Sequence, residues 1–152
     1  MDAISESRLT LVHPRLAELV RSLSDIVSHD GITFRVTQGL RTYAEQGVIY
    51  QQGRTTGGPI VTRARAGHSW HNFGLAVDTV PFLNGAPDWN ESHASWPKLV
   101  AAGESLGMRS GKSWGDEPHV EMTGRWPASV PDEVRSLYAQ GGLPAVWAQI
   151  VA

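Results

Sequence analysis

The sequence predicts an α+β fold, in which a small antiparallel sheet packs against flanking helices. Three observations lead to this fold class. Predicted elements follow in the order helix, strand, helix, loop, strand, helix and further strands. Neither GxGxxG nor GxxxxGK[ST], the loops that bind phosphate groups, occurs in the chain. The 152 residues, of which 41% are hydrophobic, are typical of one globular domain, so we expect a single domain over residues 1–152.

The first predicted helix covers residues 14–28. Apolar side chains recur there at helical spacing, and Pro14 suits the first turn. Gly31, just beyond the last turn, is a typical helix end. A strand is predicted next, over residues 32–37, because these residues alternate and are rich in β-forming types.

A second helix is predicted from about Thr42 to Gln52. Thr42 with Glu45 three residues later matches a capping box, which satisfies free backbone N–H groups at a helix start. Residues 53–70 are rich in glycine, threonine and arginine and predict a long loop. The second strand is predicted over residues 75–82, an apolar run bounded by turn residues.

Residues 83–94 again predict a loop. A third helix is expected from Trp96 to Leu106, with Ser95 as its cap and Gly107 at its end. The remaining predicted elements are strands at 108–112 and 118–122 and short helices at 131–139 and 144–151, the helices being separated by Gly141 and Gly142. We expect these last two helices to pack on the core.

Composition excludes several classes of function. The formal net charge of −2 provides no basic surface, so nucleic acid is not an expected partner. The chain has no cysteine, which excludes disulfides and thiolate metal sites. Residues 1–20 lack a basic segment followed by a long apolar one, so no signal peptide is expected, and no apolar run is long enough to predict a membrane partner.

The segment Gly67–Asp78 places His71 and Asp78 seven positions apart, at the entrance to an apolar run. Seven extended residues span about 23 Å, so the two side chains meet only if the backbone turns between them. Asn72 and Gly74 permit such a turn. A carboxylate inside an apolar strand is costly unless it is paired or coordinates a metal, which suggests a function for Asp78.

A second short segment, Asp116–Glu121, supplies another histidine, His119, beside carboxylates. Two imidazoles and one carboxylate make a suitable zinc shell with one position left for water. Zinc lowers the pKa of such a water toward about 7, and a carboxylate that is not a ligand can take its proton. A zinc peptidase is therefore the leading hypothesis, with Asp116 favoured as the base and Glu117 and Glu121 as alternatives.

Other side chains are candidates for substrate contact. Arg41 follows the first strand, where its charge could hold a substrate carboxylate or stabilise an oxyanion, although a solvated arginine at a helix start is an alternative. His68 is a candidate for the cleft wall, and Trp114 for an aromatic surface of a ligand groove. The remaining histidines, assigned to ordinary structural or surface roles, are His13, His29 and His93.

Three blocks of sequence together resemble one family. Gln38–Gln46 is similar to the R-x-x-x-x-Q block of the zinc D-alanyl-D-alanine carboxypeptidase and L-alanyl-D-glutamate endopeptidase family. Ser69–Asp78 is similar to its S-x-H-x-x-G-x-A-x-D motif, and Asp116–His119 to its [DE]-x-x-H motif. The blocks occur in the family's order, and they place the core of the domain at about residues 30–125, with the C-terminal helices at 131–151.

The resemblance implies a role for each matched residue. It implies a Zn²⁺ ion held by His71, Asp78 and His119, with Asp116 as the catalytic base and Arg41 as an electrostatic helper. It also implies that Ser69 lines the site and that Gln46, the glutamine of the first block, is a substrate-binding residue. The fold it implies is the small α+β domain that this family shares with the amino-terminal domain of hedgehog signalling proteins.

The resemblance further implies a substrate. Relatives cut bacterial cell-wall peptides, and the motif around His71 is closest to the L-alanyl-D-glutamate endopeptidases, many of them phage endolysins. We therefore expect a monomeric peptidase of the peptidoglycan stem peptide, made in the cytoplasm and released through a separate pore or secreted by a non-standard route. The alternatives are a D-alanyl-D-alanine carboxypeptidase and a non-catalytic wall-binding module on the same fold.

Overall fold

A computed structural model describes residues 1–151 and confirms the α+β fold class. The helices are α1 (Ala3–Leu9), α2 (Pro14–Ser28), α3 (Tyr43–Gln51), α4 (Ser95–Ser105) and α5 (Asp132–Trp147). The strands are β1 (Thr33–Gln38), β2 (Ala76–Leu83), β3 (Ala86–Pro87), β4 (Arg109–Gly111) and β5 (Asp116–Glu121). Two 3-10 helices, Trp70–Phe73 and Lys112–Trp114, precede β2 and β5. Within residues 1–151 no helix is both long and apolar enough to cross a membrane.

The strands form one antiparallel sheet in the order β1-β2-β5-β4, and β3 pairs with the end of β2. The central strand β2 contacts β1 on one side and β5 on the other. Side chains alternate between the two faces of a strand, so neighbouring residues of β2 pack on opposite faces of the sheet. Val77 enters one apolar core while Ala76 enters another.

The first core lies between the sheet and the helices α2 and α4. Leu16, Val20 and Leu23 of α2 are fully buried against Val77 of β2 and Val120 of β5. The helical spacing of the apolar residues in α2 supplies this stripe. Pro14 occupies the first turn of α2 as expected, and the His13 ring accepts a hydrogen bond from the Arg15 amide at 3.1 Å.

The second core joins the segment that precedes β2 to the C-terminal part of the chain. Its buried members are Trp70, Phe73, Leu75, Ala76, Trp126, Val130, Val134 and Val146. Trp70 stacks on Trp126 with ring centroids 5.7 Å apart. The indole N–H of Trp147 donates to the Phe73 carbonyl at 2.7 Å. The C-terminal helical segment therefore packs on the core, as predicted, and supports the residues just before β2.

Several predicted boundaries were wrong. Helix α1 was not anticipated, although Asp2 caps it by accepting a hydrogen bond from the Ser5 amide at 2.8 Å. Ser95 is the first residue of α4 and makes no cap, because Ala94 occupies the cap position. The two predicted C-terminal helices are present and are separated by non-helical backbone at Gly141 and Gly142, but the second ends at Trp147 and not at residue 151.

We expect Trp126→Ala to lower the free energy of unfolding by about 3–5 kcal/mol, because it empties a buried site of the second core. Trp126 is 3% exposed, whereas Trp89 is 61% exposed and serves as the matched control. Urea denaturation at neutral pH measures both variants. Equal losses for Trp126→Ala and Trp89→Ala would contradict the assignment of Trp126 to a packed core.

Candidate metal centre

Two residues of the predicted metal site are brought together by strand register. Asp78 of β2 and His119 of β5 are direct partners across the antiparallel pair. Residues opposite one another in such a pair share a face of the sheet, with Cβ atoms about 4.5–5.5 Å apart. The distance from His119 Nδ1 to Asp78 Oδ1 is 3.6 Å.

His71 reaches the same point from the 3-10 helix Trp70–Phe73. The Ser69 hydroxyl caps that helix by accepting a hydrogen bond from the His71 amide at 3.3 Å. Gly74 ends it in the left-handed region, at φ 63°, which is the backbone turn that the sequence required between His71 and Asp78. The turn leaves His71 Nε2 at 3.2 Å from Asp78 Oδ1.

The three side chains are close enough to one another to hold one metal ion. One ligand atom from each of His71, Asp78 and His119 lies within 4.8 Å of the other two. Bonds of about 2.0–2.2 Å in a tetrahedral site place ligand atoms about 3.3 Å apart. The two measured distances to Asp78, 3.2 and 3.6 Å, agree with that value.

Hydrogen bonds on the far side of each ring determine which nitrogen faces the site. His71 Nδ1 lies 2.9 Å from the Gly39 carbonyl oxygen, which can only accept, so this nitrogen carries the proton. His119 Nε2 lies 2.8 Å from Glu121 Oε2 and donates to it. In the neutral rings, His71 Nε2 and His119 Nδ1 therefore present lone pairs toward Asp78.

The charges around the site favour a cation at its centre. Burial opposes ionisation of Asp78, but the two imidazoles hold the pKa of this carboxyl well below its usual range. Burial favours the neutral His119 ring, yet hydrogen bonds to Asp78 and Glu121 raise its pKa to about 9. The carboxylates thus attract positive charge, which either a proton or a divalent ion can supply.

Asp116 lies beside the open side of this cluster. Its Oδ2 is 3.9 Å from His119 Nδ1, and 49% of its side chain is exposed. Asp116 is the first residue of β5, which begins two residues before the predicted strand, and it pairs with Gly111 of β4. A Cβ at Gly111 would lie 2.2 Å from the Asp116 carbonyl oxygen, so this close approach requires glycine.

The surroundings of Asp116 suit a group that exchanges protons. Partial burial and the negative charge of Asp78 raise the pKa of Asp116 above its ordinary value. A carboxylate with a raised pKa is a better proton acceptor than a fully solvated one.

Arg41 lies at the same cleft and is held by two glutamines. Its guanidinium donates to Gln46 Oε1 at 2.9 Å and, more weakly, to Gln38 Oε1 at 3.5 Å. Burial lowers the pKa of Arg41, while the nearby carboxylates of Asp78 and Asp116 raise it. An arginine remains charged in proteins, so the guanidinium adds a fixed positive charge beside the cluster.

Gln46 has a different position from the one expected of a substrate contact. It is fully buried, and its amide group donates to the Ala64 carbonyl at 2.8 Å. It therefore lies behind Arg41 and acts on the cleft only through that residue. Its hydrogen bonds also tie α3 to the loop that leads to His71.

Three further candidates are at least partly exposed. Ser69 is half-buried at the start of the 3-10 helix. His68 is exposed, with Nδ1 at 3.4 Å from Arg135 of α5. Trp114 is 47% exposed and its ring lies edge-on to His119, with centroids 5.8 Å apart. All three can border a bound ligand on the surface of the protein.

The two alternative bases differ in position. Glu121 is fully buried and hydrogen-bonded to His119 and Arg109, so it has no access to a substrate or a water in the cleft. Glu117 is half-buried on β5, two residues before His119. The other histidines lie in separate contacts: His13 caps α2, His29 follows α2 at the surface, and His93 pairs with Asp88 at 2.5 Å.

Some residues of the site were missed by sequence reasoning. Asn72 accepts hydrogen bonds from the Gly67 and Ser69 amides and donates to the Arg41 carbonyl at 2.9 Å, so it joins the Gln38–Gln46 block to the Ser69–Asp78 block. Its place three residues after Ser69 resembles a capping box and could have signalled part of this role. The Gly39 carbonyl and the Arg109 guanidinium gave no signal, because their partners are distant in sequence.

Comparison with known proteins identifies the family. The sequence model of the family described as phage L-alanyl-D-glutamate peptidase matches residues 1–125 of the chain. The chain belongs to this family. The match spans all three of the sequence blocks described above.

Two related proteins and one solved structure are similar to this chain. The chain is 34% identical over 122 residues to the peptidoglycan L-alanyl-D-glutamate endopeptidase CwlK of Bacillus subtilis (strain 168), covering 73% of each protein. It is 32% identical over 115 residues to the L-alanyl-D-glutamate peptidase of Escherichia phage T5, covering 72% of this chain and 77% of that protein. The crystal structure of the Serratia marcescens L-Ala D-Glu endopeptidase ChiX superposes with a TM-score of 0.59 at 26% identity, covering 81% of this chain and 89% of that one.

We expect His71→Ala to weaken zinc binding by more than the roughly 10–100-fold that loss of an outer hydrogen-bond partner costs, because it removes one of three protein ligands. Equilibrium dialysis against zinc followed by elemental analysis measures the effect. His29→Ala removes an exposed histidine at the end of α2 and should leave zinc binding unchanged. Full zinc content in the His71 variant would refute its assignment as a ligand.

Proposed function

We propose that this protein is a zinc-dependent endopeptidase that hydrolyses the bond between L-alanine and D-glutamate in the peptidoglycan stem peptide. One observation carries the proposal: two imidazole nitrogens and a carboxylate oxygen lie within 4.8 Å of one another, with a second carboxylate, Asp116, at their open side. Family membership supports the choice of bond, because the family and the relatives described above are all named for L-alanyl-D-glutamate cleavage.

His71, Asp78 and His119 would hold the zinc ion. Bound there, zinc would polarise the scissile carbonyl and make water more acidic. The three residues belong to elements that the sheet and the second core keep in place. Their outer hydrogen bonds to Gly39 and Glu121 fix the orientation of the two rings.

Asp116 acts as the general base and then as the general acid. Its half-exposed carboxylate takes a proton from the attacking water and passes it to the departing amine of D-glutamate. Its raised pKa suits both transfers, since the same group must accept and then release the proton. Glu117 is the less suitable base because Asp116, rather than Glu117, brings a carboxylate oxygen to 3.9 Å from His119 Nδ1.

Arg41 supplies positive charge without exchanging protons. Gln46 and Gln38 hold its guanidinium at the edge of the cleft, close to Asp78 and Asp116. A charged donor in that position stabilises either the oxyanion of the tetrahedral intermediate or the free carboxylate of the D-glutamyl residue. Ser69, His68 and Trp114 are the candidates for contact with the rest of the stem peptide.

We further infer that the protein works as a monomer on the cell wall. The three ligands, the base and the arginine all come from one chain, so the site does not need a second copy to be complete.

The test of this function is digestion of purified peptidoglycan followed by mass spectrometry of the released peptides. We expect fragments that begin with D-glutamate, and we expect a zinc chelator to abolish their release because it removes the ion. Readdition of zinc should restore activity. Release of D-alanine alone would instead identify a D-alanyl-D-alanine carboxypeptidase, and no release with zinc bound would indicate a wall-binding module.

We expect Asp116→Asn to lower kcat by about 10²–10⁴-fold while zinc binding is retained, because only the proton-transfer group is lost. Glu117→Gln likewise replaces a carboxylate by an amide of nearly the same size, and it tests Glu117 as the alternative base. Steady-state kinetics on a soluble stem peptide and zinc analysis measure both variants. Full activity in the Asp116 variant with loss in the Glu117 variant would move the base to Glu117.

A further inference from the structure

We propose that Glu121, clamped by Arg109, is a positioning residue that holds His119 in the tautomer whose Nδ1 faces the metal. The inference rests on the zinc site of the proposed function and concerns a residue that the sequence suggested only as an alternative base. It gives the buried carboxylate of Glu121 a function that requires no contact with substrate.

Both carboxylate oxygens of Glu121 accept hydrogen bonds. Oε2 accepts the Nε2–H of His119 at 2.8 Å, and Oε1 accepts a short hydrogen bond from Arg109 Nη1. Arg109 is the direct partner of Glu121 across the β4–β5 pair, and its second nitrogen donates to the Trp126 carbonyl at 3.0 Å. The guanidinium is therefore fixed on both sides.

Burial makes this arrangement specific. The Glu121 side chain is only 1% exposed, so its charge has lost nearly all contact with water. A buried ion pair adds little stability by itself and can often be replaced by apolar groups. An apolar replacement of Glu121 would not provide an acceptor for the Nε2–H of His119. We therefore attribute the buried pair to its effect on His119.

The two histidines of the site are held in different ways. A neutral backbone carbonyl, that of Gly39, accepts the outer N–H of His71, whereas an ionised carboxylate accepts the outer N–H of His119. A hydrogen bond to an ionised acceptor is stronger than one to a neutral group. A carboxylate in this position also increases the basicity of the imidazole toward a metal, so His119 should be the stronger nitrogen ligand.

The chemistry of the site favours glutamate over glutamine. Both oxygens of Glu121 accept hydrogen bonds, one from His119 and one from Arg109. A glutamine has one accepting oxygen and one donating NH₂ group, so Glu121→Gln must place a donor against either the His119 N–H or the Arg109 guanidinium. The substitution changes almost no volume, which separates the loss of the acceptor from a packing defect.

The experiment measures zinc affinity of the purified protein by competition with a chromophoric chelator. We expect Glu121→Gln to weaken zinc binding by about 10–100-fold, the usual cost of an outer hydrogen-bond partner. Glu133→Gln is the matched control, because Glu133 is ion-paired with Arg125 and hydrogen-bonded to Trp126 Nε1 but contacts no histidine. The control should bind zinc as the wild type does.

A second measurement reads the tautomer directly. Long-range ¹H–¹⁵N NMR of the zinc-loaded wild type should show His119 protonated at Nε2, and His71 protonated at Nδ1. In Glu121→Gln, the His119 signals should shift or broaden while those of His71 stay unchanged, which a general loss of stability would not produce. The wild-type spectrum decides the tautomer even if the variant fails to fold.

The outcomes separate the inference from the proposed function. If the wild type binds no zinc, both are overturned. If the wild type binds zinc and Glu121→Gln binds it equally well, or if His119 is protonated at Nδ1 in the wild-type complex, the positioning role is refuted while the zinc site stands.

Discussion

The structure depends on three electron-pair donors that face one point. Each histidine donates its outer N–H to a fixed acceptor, so the neutral ring turns its unprotonated nitrogen inward, and Asp78 adds a carboxylate with no proton of its own at neutral pH. Three acceptors at these distances repel one another unless positive charge, supplied by a proton or by a metal ion, lies between them. A divalent cation would interact favourably with all three at once, which is why we propose one for this site.

The fold anchors the three donors in different ways. Asp78 and His119 are partners in the middle of an antiparallel sheet, and one side of that sheet is closed by α2 and α4. His71 comes from a short 3-10 helix whose position depends on Ser69, Asn72 and the second core. The C-terminal residues of the second core, Trp126 to Val146, lie beyond the region matched by the family model, and they support the short helix that carries His71.

Local sequence signals predicted most of the elements, because their causes are local. The capping box of Thr42 and Glu45, the apolar stripe of α2 and the turn at Gly74 each depend on residues a few positions apart. The predictions were less accurate where a strand boundary or a side-chain position depends on residues that are distant in sequence. The pairing of Asp116 with Gly111 extended β5 by two residues, and the full burial of Gln46 placed it behind Arg41, which no local pattern indicated.

The sequence by itself determined the family, the fold class and the set of side chains from which a metal site can be built, since motif spacing and residue type carry that information. Only the tertiary structure decided which nitrogen of each ring faces inward and which carboxylate lies in the cleft. Glu121 and Asp116 are both carboxylic acids in the same strand. Glu121 is buried and ion-paired with Arg109, whereas Asp116 is half-exposed. Their different environments arise from strand pairing and burial, and these depend on contacts between residues far apart in the chain.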